Sequence, residues 1–111
     1  MSKSIIYSIP NNYFEAIIQI RPYNEEVFRF LKKRIEKREG VFISKIIELK
    51  TGIDIYVSSQ RFARRLGTDM KKAFKGELKV TRKLHTESRQ TSRKLYRATV
   101  LFRLTPKEEK D

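Results

Sequence analysis

The sequence predicts an α+β fold: a largely antiparallel sheet with two amphipathic helices on one face, in the order β-α-β-β-α-β-β. Three observations carry this expectation. Apolar residues alternate with period two in several short runs, and recur at helical spacing in two longer ones. Each helical run is followed by two consecutive strand-like runs, so hairpins occur in both halves of the chain. Gly, Pro and Asn fall between the runs, where turns are needed. Two hairpins and two helices suggest a split β-α-β arrangement of the ferredoxin type, extended by a final strand.

Each element has its own signature. Residues 3–9 form a short leading strand, closed by the turn signal Pro10-Asn11-Asn12. Phe14, Ala16, Ile18 and Ile20 then alternate with more polar neighbours, and are expected on one face of a strand that Pro22 ends. Asn24 is the predicted N-cap of a helix over about 25–38, with Glu25 and Glu26 suited to its positive end. Val27, Phe30, Leu31 and Ile35 make its apolar stripe, and Gly40 stops it. Val41 to Lys50 and Ile53 to Val57 are strands joined through Thr51-Gly52.

Ser58 or Ser59 caps a second helix, about 59–75, whose inner face carries Phe62, Leu66, Met70, Ala73 and Phe74. Gly67 within it costs about 1 kcal/mol relative to Ala. Two last strands, about 77–85 and 93–104, flank the polar stretch 86–92; Tyr96, Ala98, Val100, Phe102 and Leu104 share one face. The expected organisation is a single domain over 1–111, with its core at about 13–105 and a charged tail at 106–111.

Charge narrows the class of partner. The chain of 111 residues carries 26 Lys and Arg against 13 Asp and Glu, a formal net charge of +13. Residues 61–105 alone hold fourteen basic and three acidic residues, whereas residues 1–60 hold ten and seven. Cations concentrated in one half are the electrostatic footprint of a polyanion binder. They form two groups which, apart from Lys75 and Arg103 at their ends, are Arg61, Arg64, Arg65, Lys71 and Lys72 on the second helix, and Lys79, Arg82, Lys83, Arg89, Arg93, Lys94 and Arg97 along the last hairpin. These twelve are the candidate nucleic-acid-binding residues. No pair of exposed aromatics on adjacent strands stands out as a stacking platform, so contacts to phosphate backbone or shape are expected.

Catalysis finds no constellation. His85 is the only histidine; a general base needs an orienting carboxylate, of which Glu87 is the nearest in sequence, and a surface or loop histidine is the expectation. There is no cysteine, hence no disulfide or thiolate zinc site, and no glycine-rich phosphate loop or metal-ligand spacing. No cofactor is expected. No apolar run reaches the roughly 20 residues of a membrane helix, and the N-terminus lacks the apolar core of a secretory signal, so a cytoplasmic protein without membrane contact is expected. Asp54, set between Ile53 and Ile55, must face solvent or find a cationic partner; a solvent-facing position near the turn is the simpler expectation. Tyr56 reads as an ordinary cross-strand aromatic rather than a contact residue.

The stretch Gly52-Ile-Asp-Ile-Tyr-Val-Ser-Ser-Gln-Arg-Phe-Ala-Arg-Arg-Leu66 resembles the G-h-D-h-Y-h-x-S-x-x-x-A-x-x-[LM] segment (h apolar) of the large-ribosomal-subunit export adaptors, the family historically labelled nonsense-mediated mRNA decay protein three. Residues 17–21, 74–84 and 94–102 are similar to its flanking segments, so the resemblance covers about 13–105. It implies a non-enzymatic protein that associates with the large ribosomal subunit and its RNA during maturation, with ribosomal proteins or maturation factors as further partners. Members usually begin with cysteine-rich zinc modules, which this chain lacks. The resemblance therefore fits an excised central domain or a shortened archaeal-type relative, and carries over neither zinc nor export activity. The alternative expectation is a protein–protein module within the same kind of assembly, without direct RNA contact.

Overall fold

The structure is a computed structural model that describes residues 4–8, 13–88 and 93–105. Its elements are β1 (Ser4–Ser8), β2 (Ala16–Arg21), α1 (Glu25–Lys37), β3 (Ile43–Leu49), β4 (Gly52–Val57), α2 (Gln60–Ala73), β5 (Gly76–Ser88) and β6 (Arg93–Leu104). The α+β order predicted from the sequence is present, with the leading strand added to it. All six strands form one sheet in the order β1-β3-β4-β2-β6-β5. Every neighbouring pair is antiparallel except β2 and β6.

The position of β6 departs from the arrangement expected. A final strand appended to a ferredoxin-type sheet would lie at its edge. Here β6 runs parallel to β2 in the interior, with Ile18 opposite Val100, and β5 takes the edge. Burial explains the choice. Ala98, Val100 and Phe102 are fully apolar on one face and fill the space beside Ile18 and Ile20, whereas β5 carries Lys79, Arg82 and Lys83. A strand that is charged on both faces suits an edge better than a centre.

One core joins the sheet to both helices. Val27, Leu31 and Ile35 of α1 and Phe62, Leu66 and Met70 of α2 bury against Ile18, Ile20, Ile55, Val100 and Phe102. Each such side chain removed from water contributes about 1.5–3 kcal/mol. Both helices therefore lie on one side of the sheet. Gly67 lets α2 approach closely: a Cβ there would stand 2.9 Å from Cγ1 of Val100 and 3.0 Å from Cδ1 of Leu78. Ala73, expected on the inner face, is exposed where α2 ends.

Local chemistry sets the helix starts. Asn24 accepts from the Val27 N–H at 3.1 Å, and Ser59 accepts from the Phe62 N–H at 3.1 Å. The first turn of α2 contains no acidic residue of its own. Glu15 supplies one, its Oε1 accepting from the Gln60 N–H at 2.9 Å. A carboxylate at a helix N-terminus satisfies an orphan donor and complements the dipole. Ser58 has a different role, accepting from the Phe42 N–H at 2.9 Å.

This use of Glu15 alters the face of its neighbour. Alternation placed Phe14 with Ala16, Ile18 and Ile20 in the core. Instead Glu15 interrupts the alternation: its N–H donates to the Val57 carbonyl, although Val57 also faces Ala16. Glu15 turns to the helix side, and Phe14 lies on the opposite face of the sheet against Tyr56.

Candidate nucleic-acid interface

Among the described residues, the cations singled out from the sequence do not converge on one surface. Arg61, Arg64, Arg65, Lys71 and Lys72 are all exposed on α2, turned away from its buried residues. Lys79, Arg82 and Lys83 are exposed on β5, but strand alternation divides them. Arg82 pairs with Ala98 on the helix side, its guanidinium 4.6 Å from the centre of the Tyr96 ring. Lys79 and Lys83 point to the other face, where Lys83 lies opposite Arg97. Arg93 and Lys94 lie in β6, in register with Ser88 and Glu87. Arg89 lies outside the described residues, as do residues 90–92 of the connecting stretch. His85 belongs to β5, which continues to Ser88, three residues beyond the predicted strand.

The helix side holds a cationic groove that sequence reading did not find. It lies between α1 and α2, encloses about 590 Å³, and is lined by Phe30, Lys33, Arg34, Lys37, Arg38, Phe62, Arg65 and Asp69. Five cations face one carboxylate, and Arg34 occupies that carboxylate at 2.9 Å. Arg34 also lies 4.5 Å over the Phe30 ring, and Arg38 reaches across to lie 5.2 Å over Phe62 of α2. Such contacts hold a guanidinium on an aromatic surface with its N–H groups available at the edge. Lys33, Lys37 and Arg65 have no carboxylate partner among the described residues. Two of the three acids of α1 are engaged elsewhere: Glu25 pairs with Arg29 and Glu36 with Lys32.

The helical repeat accounts for this separation. Positions 30, 34 and 37 fall on the flank of α1 beside α2, whereas 25, 29, 32 and 36 fall on the far flank. Residues 1–60 look nearly balanced in charge, yet on α1 the paired charges Glu25, Arg29, Lys32 and Glu36 share the far flank. Arg34 and Lys37 stand on the flank beside α2, where Glu26 is the one acid of the helix. Arg65 completes the groove from α2, and the other exposed cations of α2 extend the positive surface. The arrangement suits a phosphate-bearing polymer, since several separated cations can each neutralise one phosphate.

The opposite face of the sheet is organised differently. Asp54 is not solvent-facing there: its Oδ1 accepts from Nη2 of Arg21 on β2 at 2.7 Å, and the two side chains are only 12% and 18% exposed. Nη1 of Arg21 also donates to the Ile53 carbonyl at 3.2 Å, so the pair ties β2 to β4. Beside it, Phe14 and Tyr56 meet edge to face with ring centres 4.8 Å apart. Arg97 and Lys45 flank the two rings.

Comparison with known families now decides the relationship. Residues 13–104 match the family described as NMD3, second domain. The chain belongs to the NMD3 family. Membership implies a role in maturation and export of the large ribosomal subunit, association with that subunit, and a generally non-catalytic adaptor. No individual curated protein matches the chain. Among the described residues, no group of three or more His, Cys, Asp or Glu side chains could hold a metal ion. No helix among them is long and apolar enough to cross a membrane. In this NMD3-family chain, the α1–α2 groove and the exposed side of α2 form the cationic surface of the helix side.

Proposed function

We propose that this chain is a non-enzymatic binding module that associates with the large ribosomal subunit by holding ribosomal RNA through its phosphates. The groove between α1 and α2 carries the reading. Lys33, Lys37 and Arg65 stand there without carboxylate partners among the described residues, while Arg34 and Arg38 are stacked on Phe30 and Phe62. The exposed cations of α2 widen this contact, and those of the β5–β6 hairpin supply a second one. Each phosphate neutralised releases counterions, so the affinity depends on salt.

The test is a titration of the chain with deproteinised ribosomal RNA, and separately with purified large subunits, over a range of salt. Replacing Lys33, Lys37, Arg64 and Arg65 with Gln lowers the slope of log affinity against log salt by about 3 on this reading. The variant Arg82, Lys83, Arg89 and Arg93→Gln measures the hairpin contribution on the same scale. Subunit binding that persists after the RNA is removed, and that ignores salt, would overturn the RNA reading in favour of protein–protein contact.

A further inference from the structure

The sheet face without helices carries an aromatic pair that has no part in the core. Phe14 and Tyr56 are each half-buried, and neither belongs to the hydrophobic cluster nor to the partly buried residues packed against it. Large aromatics that do not support the core, on a face that neither α1 nor α2 covers, need another account. Their neighbours point to one. The Arg97 guanidinium lies 3.9 Å from the centre of the Phe14 ring, with its Nε donating to the Phe14 carbonyl at 3.2 Å. The Lys45 ammonium lies 4.8 Å from the centre of the Tyr56 ring. Lys83 pairs with Arg97 across β5 and β6 and extends the line to the sheet edge. From Lys45 to Lys83 the row runs from β3 and β4, past Phe14 just ahead of β2, to β6 and β5.

We propose that this row is a stacking site for an unpaired segment of RNA, separate from the phosphate-holding groove on the helix side. Aromatic faces and guanidinium planes both stack on bases, each base contributing about 1–3 kcal/mol with little regard to sequence. Arg97 is held as a plate: one face rests on Phe14 and its Nε is tied to the backbone, so its other face is the one on which a base would stack. Lys45 ends in a flexible ammonium that can leave the Tyr56 ring for a phosphate, exposing that ring to a second base. Lys83 stands where the backbone of the same strand would pass. Charge complementarity favours nucleic acid over an acidic peptide, because an acidic peptide has no use for the two ring faces. The proposal rests on the RNA reading only for the kind of polymer, and its failure is distinguishable from failure of that reading.

The test compares a single-stranded RNA of about ten nucleotides, bearing 2-aminopurine, with a fully paired hairpin of the same charge. Phe14→Leu keeps apolar bulk but removes the ring; Arg97→Lys keeps charge but removes the plane. Circular dichroism confirms that each variant is folded. Both variants are expected to bind the single strand roughly tenfold more weakly, with loss of the 2-aminopurine response and unchanged affinity for the hairpin. Equal loss on both RNAs, or no loss on either, would overturn the proposal while leaving the salt-dependent groove contact standing. A surface that captures a large-subunit protein and ignores single-stranded RNA would overturn it as well.

Discussion

The carboxylate of Asp54 on β4 holds the guanidinium of Arg21 on β2 at 2.7 Å, in a position nearly closed to water. An apolar strand accepts a charge there because its partner strand delivers the opposite one. Removing either member leaves the other buried and uncompensated. Asp54→Asn and Arg21→Met should therefore each lower stability by about 2 kcal/mol. Urea denaturation would show it as a reduced midpoint with unchanged slope. The double variant should lose less than the sum of the two.

Gly67→Ala should also destabilise, against the usual rule for helices. An exposed helical Gly replaced by Ala gains about 1 kcal/mol. Here the added methyl would press on Val100 and Leu78 at 2.9 and 3.0 Å, and both belong to the contact between α2 and the sheet. Overpacking costs about 1–3 kcal/mol, so a net loss is expected in thermal unfolding. Gly52→Ala should cost more, because its Cβ would fall 2.1 Å from the backbone oxygen of Ile20, which cannot swing aside.

Tyr13 offers a pH signature for the start of β2. Its hydroxyl donates to Oε2 of Glu15. Partial burial, then that hydrogen bond and the Glu15 charge, push its pKa from 10.0 to about 12, against the opposing pull of Arg97. The folded state thus keeps the proton that the unfolded chain loses. The resulting stability is complete below pH 10.0 and is lost as the pH rises through about 12. Alkaline titration followed by tyrosinate absorbance should show a late-titrating component, to which burial also adds Tyr23 and Tyr56, and Tyr13→Phe should reduce it. Over the same range the variant should lose stability less steeply than the parent.

Ser59→Ala tests the start of α2, where Ser59 and Glu15 satisfy different N–H groups. Loss of the hydroxyl should cost about 1 kcal/mol. Glu15→Gln keeps an acceptor but removes the charge, so it should cost less and should also lower the Tyr13 pKa. Thermal unfolding and alkaline titration of the two variants separate these effects.

Periodicity made most of the fold legible, and failed where tertiary demands broke it. The helices, the Thr51-Gly52 hairpin and the inner face of β6 follow directly from apolar spacing. Phe14 does not, because Glu15 is recruited to cap α2 from 45 positions away, and that shifts the face of the preceding residue. No local pattern announces such a recruitment. The Arg21–Asp54 pair is equally hidden, since it depends on which strands become neighbours. The groove is hidden for another reason: net charge along the chain does not show which side of α1 each charge occupies. Around the helix, rather than along it, Lys33, Arg34 and Lys37 separate from Glu25 and Glu36, though not from Glu26. The aromatic row needed the β2–β4 pairing, which a helix separates in sequence.

The interior position of β6 has a consequence for how the molecule comes into being. A chain is made from its N-terminus, and domains fold largely as their parts emerge. Here β2, β4 and both helices are complete before Ala98, Val100 and Phe102 exist, yet these three close the middle of the core. Until then β2 has one unpaired flank and α2 has no floor beneath Gly67. Closure must wait for contacts between residues about 80 apart in sequence, a slow step for non-local pairings. The last strand to be synthesised is the one that makes the earlier ones a domain.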